Sequence, residues 1–277
     1  MERPVVTSYG SMADSDAIPL VRKALPELDH YMVTFYLDGQ EVGSGTFVNT
    51  MGLDGILTAY HVAKKLFDVG FFAFSLSQKE RTAWRSKEQF DHVPVGVPED
   101  LNGTDGPDLS FIIIRDAQLA GTLKSKKSFC FLESQDTEFF KLPLDRMRWA
   151  ITGTPQSECN PTGELDSDGE PVIGLVKLLV SPKFGGYGIS GQYDYVELLV
   201  PCGRKPCLYD YRGLSGGGFW VIPFARFGNG AVTCRRPILA GVQFSQSAPN
   251  DGWRTLKGHG FNSIYMRVRK TLKARKK

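Results

Sequence analysis

Short segments in which every second residue is apolar dominate the first half of the chain. In residues 31–37 this alternation is regular, which is the period of a β-strand with one buried face. The dipeptide Asp38-Gly39 follows and is typical of a two-residue hairpin turn. The pattern predicts strands over 31–37, 40–49, 55–58, 70–76 and 109–114, and a short helical segment over 62–66.

The second half of the chain has a similar pattern after a polar, lysine-rich segment. It predicts strands over 147–152, 172–180, 195–200, 218–222 and 238–244, and an amphipathic helix over 264–272. Short strands in two groups, separated by Gly, Pro and Asp turns, predict an all-β protein of two antiparallel six-stranded β-barrels with a short C-terminal helix. The predicted boundaries are a loose lead-in over 1–28 with a short helix near 20–25, a first barrel over 29–123, a linker over 124–145, a second barrel over 146–265 and a basic tail over 266–277.

Composition narrows the class of protein. The 277 residues carry a formal charge of only +3, which gives no reason to expect a nucleic-acid partner. The most apolar runs, 71–76 and 111–114, are far shorter than the roughly 20 residues of a membrane-spanning helix, and the first residues lack the apolar core of a signal peptide. We therefore predict a cytoplasmic protein without membrane contact.

The cysteines support that prediction. An odd number at irregular spacing indicates reduced thiols rather than a disulfide framework. The five are Cys130, Cys159, Cys202, Cys207 and Cys234. Their spacing fits no zinc motif, so neither a metal nor a cofactor is expected.

Two polar residues stand at the ends of buried strands. His61 follows the apolar segment that ends in Thr58-Ala59 and is one of four histidines in the chain. On its own, a histidine at a strand end is more often a structural residue. Asp108 precedes the apolar strand 109–114, and a carboxylate in such a place needs a partner. A histidine N–H is one such partner, and backbone amides are another.

The third motif is a serine within a glycine-rich turn, Gly213-Leu214-Ser215-Gly216-Gly217-Gly218. A serine hydroxyl becomes a nucleophile when a base removes its proton, and backbone N–H groups of a tight turn can then stabilise the oxyanion. A flexible loop or a phosphate-binding loop is the alternative. No lysine follows in the P-loop manner and a strand comes next, which weakens the phosphate interpretation.

Together the three motifs resemble the chymotrypsin/trypsin-like serine peptidases, especially compact bacterial or intracellular ones. The order His, Asp, Ser is that of this family, whereas subtilisins and α/β-hydrolases use other orders. Segments 43–48, 151–155 and 238–242 are similar to the family's strands before the histidine, at the start of the second barrel and after the serine. The resemblance covers residues 30–265.

The resemblance implies a serine endopeptidase that acts on a polypeptide. It assigns Ser215 as nucleophile, His61 as general base, Asp108 as the residue that orients the histidine, and the N–H groups of Gly213 and Ser215 as the oxyanion hole. Four further residues are candidates for substrate binding: Phe244, Ser245 and Gln246 on a strand edge, and His259 in the P1 pocket. A histidine there would favour an acidic or amide P1 side chain; a structural role in a turn is the other interpretation.

The sequence departs from the family at two positions, and two alternative functions remain. Leu214 replaces the acid that pairs with a freed N-terminus in digestive relatives, so activation by that cleavage is not expected, and Val62 replaces a cysteine of secreted members. The chain could instead be a catalytically idle scaffold that binds proteins, or an esterase with the Gly-x-Ser-x-Gly motif. A regulatory protein partner is also predicted, with the acidic segment 158–170 and the glycine-rich segment 183–192 as candidate lids or contact sites.

Overall fold

The computed structural model describes residues 6–9, 14–75, 83–99, 106–139, 142, 147–156, 161–165, 171–173, 182–203, 208, 210–227 and 232–275. Its first elements are strand β1 (Val6–Tyr9) and helix α1 (Asp14–Asp29). Val21, Ala24 and Leu28 are buried, so one side of α1 packs on the core. The sequence predicted only a short helix near 20–25, because two prolines interrupt the helical pattern. The helix in the structure is longer and contains both prolines.

The first half of the chain folds into a mainly antiparallel sheet, in which β3 and β9 are the parallel pair among the described strands, with helices around it. Its elements are β2 (Met32–Leu37), β3 (Gln40–Thr50), β4 (Leu53–Thr58), α2 (Tyr60–Val69), β5 (Phe71–Ser75), β6 (Ala83–Ser86), β7 (Phe90–Gly96), β8 (Leu109–Ile114), α3 (Ala117–Lys126), β9 (Cys130–Phe131) and α4 (Leu132–Phe139). The strand order is β6-β5-β2-β3-β4-β8-β7, and β9 pairs with β3. Asp38 and Gly39 both have positive φ, 48° and 74°, which confirms the predicted hairpin turn.

The second half forms a six-stranded antiparallel sheet and two small sheets. Its strands are β10 (Arg148–Ile151), β11 (Pro161–Leu165), β12 (Pro171–Ile173), β13 (Lys183–Ser190), β14 (Tyr193–Pro201), β15 (Gly218–Ile222), β16 (Phe224–Phe227), β17 (Val232–Cys234), β18 (Ile238–Gln246) and β19 (Trp253–His259). The main order is β10-β15-β18-β19-β14-β13; β11 pairs with β12, and β16 lies between β1 and β17. Each large sheet curls into a half-barrel, so the predicted two-barrel architecture is confirmed. The first sheet has eight strands rather than six, since the short β6 and β9 extend it.

The segment 183–192 is not the loop that its glycines predict. It is strand β13 and the turn into β14, paired from Lys183↔Leu199 to Ser190↔Tyr193. Its glycines interrupt the alternation of side chains, but the backbone hydrogen bonds of a strand need no side chain. Of the other candidate lid, 158–170, the structure describes 161–165, which is β11. The predicted strand 172–180 begins within β12, and 174–180 lies outside the described residues.

The predicted linker 124–145 contains the end of α3, strand β9 and helix α4. The Gln135 side chain of α4 accepts the N–H of Leu239 at 3.0 Å and the hydroxyl of Tyr265 at 2.8 Å, so α4 is bonded to the second barrel. Helices α3 and α4 are mostly polar and bury only a narrow side, so the hydrophobic pattern of the sequence does not indicate them.

A C-terminal helix closes the fold. A π-helical turn over Asn262–Arg267 continues into α5 (Val268–Arg275). Ile264, Val268 and Leu272 are buried, at the spacing of the predicted amphipathic helix. Arg275, which the sequence assigned to a basic tail, lies 3.8 Å from Asp91 of β7. The segment that leaves the second barrel thus packs on the first.

Two further observations bear on the predicted setting of the protein. Of the helices that the structure describes, none is long and apolar enough to cross a bilayer. Cys130, Cys202 and Cys234 are free thiols, whereas Cys159 and Cys207 lie outside the described residues.

Candidate active site

His61 lies where the first barrel passes from strand to helix. Ile56 and Leu57 of β4 are fully buried, as are Val62 and Leu66 of α2. These apolar contacts fix the junction, and the histidine side chain beside them keeps 26% of its surface exposed. A ring on a rigid junction with one side open can exchange a proton with a bound molecule.

Asp108 binds His61 through both carboxylate oxygens. Oδ2 lies 2.6 Å from ring Nδ1, and Oδ1 accepts the His61 backbone N–H at 2.9 Å. Because Nδ1–H faces the carboxylate, the neutral ring offers Nε2 as an acceptor on its other side. The bond to the backbone also satisfies one N–H of the first turn of α2, which has no side-chain cap of its own. The structure therefore brings these two predicted residues together.

His259 lies behind Asp108. Its Nε2 accepts the Asp108 backbone N–H at 2.9 Å, and its ring centroid is 4.8 Å from that of Phe244 and 5.2 Å from that of Tyr195. Burial lowers the pKa of His259 to about 4, so the ring is neutral near pH 7. Since Nε2 accepts, the proton is on Nδ1. That atom is buried and has no hydrogen-bond partner among the described residues.

Ser215 lies on a tight turn, 213–217, that leads into β15. Three backbone N–H groups of this turn donate within the protein at 2.7 to 3.3 Å, those of Leu214, Gly216 and Gly217. In the part of the chain that the structure describes, the N–H groups of Gly213 and Ser215 have no acceptor. Unpaired amides beside a serine are the groups that an oxyanion hole needs.

Gly216 sets how closely this turn approaches the first barrel. Its φ is +92°, and a Cβ there would lie 1.9 Å from the Ser44 carbonyl oxygen and 2.2 Å from Thr58 Oγ1. Only glycine meets both conditions. Thr58 ends β4, three residues before His61. The turn that carries Ser215 is therefore packed against the strand end that leads to the histidine.

The Ser215 hydroxyl points to the second barrel. It donates to the Phe244 carbonyl of β18 at 3.5 Å, and the hydrogen bonds of the described residues include none between Ser215 Oγ and the His61 ring. Of the three predicted triad residues, His61 and Asp108 are thus hydrogen-bonded to each other. Ser215 lies on the turn that packs against the strand end before His61. A change of χ1 rotamer redirects a serine hydroxyl without moving the backbone.

The other predicted substrate-binding residues lie at the end of β18. Phe244 is buried, and Ser245 and Gln246 are partly exposed. The Gln246 side chain accepts the N–H of Tyr211 at 3.1 Å and donates to Asp210 at 2.7 Å. Its amide therefore holds the loop that precedes the serine turn.

The solved structure of a serine protease shares this arrangement of barrels. Neuropsin, a serine protease expressed in the limbic system of mouse brain, is 15% identical, with 89% of this chain and 96% of that chain covered and a TM-score of 0.52. This chain has the trypsin-like fold. The resemblance found in the sequence is confirmed at that level.

Two other similar structures have lower TM-scores. Rv3671c from M. tuberculosis H37Rv, an inactive serine-to-alanine form, is 11% identical over 96% of this chain and 97% of that chain, with a TM-score of 0.48. A Sesbania mosaic virus structure, concerned with the coupled folding and binding of the intrinsically disordered VPg protein, is 12% identical over 85% and 88%, with a TM-score of 0.41. Neither a protein-family model nor a curated protein matches the sequence.

No pattern in the sequence indicated that a further carboxyl group lies beside the serine turn of this trypsin-like fold. Glu41 of β3 is 5% exposed, and its Oε2 lies 2.5 Å from the position that a Cβ on Gly213 would occupy. Its Oε1 is buried without a partner among the described residues. Burial raises the pKa of Glu41 to about 8, although the Gly43 N–H and the Lys65 charge oppose this. A protonated acid therefore lies beside the serine turn at neutral pH.

Glu41→Gln is expected to make the protein less sensitive to alkaline pH. The unfolded chain releases this proton near the ordinary pKa of 4.5 and the folded chain near 8, so between these values the folded state binds more protons. The contribution of Glu41 to the free energy of unfolding is fully present when the pH is below the pKa of the unfolded chain. It falls by about 1.4 kcal/mol per pH unit as the pH rises and is lost through the folded value. Urea unfolding between pH 5 and 9 measures it.

The matched control for this prediction is Glu88→Gln, at an exposed glutamate. We expect its unfolding free energy to follow that of the wild type at each pH, whereas Glu41→Gln becomes relatively more stable as the pH rises. A constant difference between Glu41→Gln and wild type would mean that Glu41 is already ionised in the folded protein.

Proposed function

We propose that this chain is a serine endopeptidase that hydrolyses peptide bonds through an acyl-enzyme on Ser215. The observation that carries the proposal is the bidentate contact of Asp108 with His61, beside a serine turn in which two amides have no acceptor among the described residues. A carboxylate that fixes one tautomer of a histidine near a serine is the arrangement that activates a hydroxyl nucleophile. The trypsin-like fold supports the same assignment.

In the proposed reaction, Ser215 Oγ attacks the scissile carbonyl carbon while His61 Nε2 takes its proton. Asp108 stabilises the imidazolium, and the N–H groups of Gly213 and Ser215 donate to the oxyanion. The C–N bond then breaks as the imidazolium returns the proton to the leaving amine. Water, deprotonated by the same ring, attacks the acyl-enzyme and releases the second product. For the first step, the hydroxyl leaves the Phe244 carbonyl by rotation about χ1.

We also assign substrate contacts to the end of β18. Phe244, Ser245 and Gln246 are proposed to line the edge for the substrate backbone, and His259 the P1 pocket. The Nδ1–H of His259, which has no partner in the described part of the chain, is a donor that suits an acidic or amide P1 side chain. Because the same ring accepts the Asp108 N–H, P1 recognition and the orientation of the triad would depend on one residue.

An idle scaffold and an esterase are the two alternatives to a peptidase. The bond from Ser215 to the Phe244 carbonyl favours a catalytically idle scaffold that binds proteins. The esterase alternative requires a serine between a strand and a helix of an α/β sheet. Ser215 instead precedes strand β15 of an antiparallel sheet, so that kind of nucleophile elbow is excluded.

A fluorophosphonate probe separates the enzyme from the idle scaffold. We expect covalent labelling of the folded protein, with the modified peptide mapped by mass spectrometry to Ser215, and no labelling after heat denaturation. Absence of labelling would leave the binding module as the better interpretation, and modification of another serine would reject Ser215 as the nucleophile.

The proposed setting is a reducing cytoplasm. The free thiols of Cys130, Cys202 and Cys234 support it, because such thiols persist where disulfides do not form. The mechanism uses no cofactor. The regulatory partner that the acidic segment 158–170 suggests stays a prediction.

A further inference from the structure

Ser44 of β3 bonds to the serine turn through both its backbone and its side chain, and is fully buried. Its N–H donates to the Ser215 carbonyl at 2.8 Å, and its hydroxyl donates to the Gly213 carbonyl at 2.8 Å. The hydroxyl oxygen accepts the Thr154 N–H at 3.0 Å, and the Ser44 carbonyl accepts the Thr58 hydroxyl at 2.8 Å. One residue of the first barrel thus connects the turn, β4 and the start of the second barrel.

These bonds complete a set that fixes every peptide plane of the turn. The carbonyls of four successive residues, Arg212 to Ser215, accept in order from Gln156 N–H, Ser44 hydroxyl, Gly217 N–H and Ser44 N–H. In a planar trans peptide the C=O and N–H point in opposite directions, so a bonded carbonyl fixes the N–H of the next residue. The N–H groups of Gly213 and Ser215, which have no acceptor among the described residues, are each restrained in this way within their own peptide planes. The Ser44 hydroxyl bonds to the Gly213 carbonyl and so holds the peptide plane that lies between these two N–H groups.

We propose that Ser44 is a positioning residue for the oxyanion hole, and that its hydroxyl sets the relative orientation of the Gly213 and Ser215 N–H groups. This inference rests on the proposed peptidase function. Gly213 has a φ of +94° and, as a glycine, few steric limits on rotation. Without the bond to its carbonyl, the central plane can turn and the two donors diverge. Because the hydroxyl belongs to the first barrel, the hole is assembled only when both barrels are docked.

The test compares Ser44→Ala with Thr34→Val. Thr34 Oγ1 bonds Thr154 Oγ1 at 2.6 Å in the same buried interface, so its loss controls for a missing buried hydroxyl without removing a bond to the turn. For Ser44→Ala we expect kcat to fall about 10- to 100-fold with KM little changed, since donors displaced by a fraction of an ångström lose transition-state stabilisation. A peptide aldehyde, which forms a tetrahedral oxyanion on the serine, should lose affinity in parallel, whereas a product peptide should not.

The outcomes are distinct. An active wild type with unchanged kcat in Ser44→Ala overturns the inference, and so does an equal loss of kcat in Thr34→Val. A wild type that neither cleaves nor reacts with the fluorophosphonate probe refutes the proposed function instead. In that case amide hydrogen exchange decides: Ser44→Ala, but not Thr34→Val, should accelerate exchange at Gly216 and Gly217. Equal rates in both variants would overturn the positioning role.

Discussion

Replacing Ser215 by alanine is expected to lower kcat by about a million-fold, as removal of the nucleophile does in subtilisin. Among the described residues the hydroxyl makes one long bond, 3.5 Å to the Phe244 carbonyl, so its loss should leave the unfolding midpoint nearly unchanged. Cleavage of a peptide library by wild type and by Ser215→Ala measures the effect, and the same profile shows whether acidic or amide P1 residues are preferred.

Ser125→Ala is a suitable control for this variant, because Ser125 lies on α3 and is exposed. It should cleave at the wild-type rate. If Ser215→Ala kept even a tenth of the wild-type activity, hydrolysis would come from another group and the proposed acyl-enzyme would be wrong.

Asp108→Asn is expected to lower kcat/KM by about ten-thousand-fold while preserving the shape of the site, as in the Ser-His-Asp triad. An asparagine amide group can donate to the His61 ring, and Nδ1 would then accept and Nε2 carry the proton. A ring in that tautomer cannot take the Ser215 proton. The second contact, to the His61 backbone N–H, needs only a carbonyl oxygen, which asparagine retains.

Asp116→Asn provides the matched comparison for Asp108. Asp116 also accepts backbone N–H groups at the start of a helix, at 2.9 and 3.0 Å in α3, but lies outside the site. We expect it to reduce stability slightly and to leave kcat/KM intact. Comparable activity of Asp108→Asn and wild type, under conditions where the probe labels Ser215, would mean that Asp108 only caps α2.

The strands that the sequence predicted best are buried on both faces. Residues 109–114 and 218–222 correspond to β8 and β15 in full, because short apolar runs that are bounded by turn residues and rich in β-branched or aromatic side chains are typical of buried strands. Strand β13 and helices α3 and α4 were not predicted. Their residues are largely exposed, glycine-rich or polar, and backbone pairing or a narrow buried side determines their structure.

The residues of the site also divide into those that the sequence pattern indicates and those that it does not. His61, Asp108 and Ser215 stand at junctions between apolar strands and turns, which a linear pattern can indicate. Ser44 and Glu41 could not be recognised in this way. Ser44 acts through a bond to Gly213, 169 residues further along the chain, and the burial of Glu41 depends on the same turn. Contacts of such separation leave no periodic trace in one sequence.

Leu214 has a consequence for when the proposed enzyme would become competent. Its side chain is fully buried, and its Cδ2 lies 2.7 Å from the position that a Cβ on Gly153 would occupy. Digestive trypsin-like enzymes need a newly created amino group to pair with an acid at this position. Here the apolar Leu214 side chain packs as soon as the two barrels dock, and it does not titrate. In the proposed enzyme, activation by pairing of residue 214 with a freed amino group is therefore not expected.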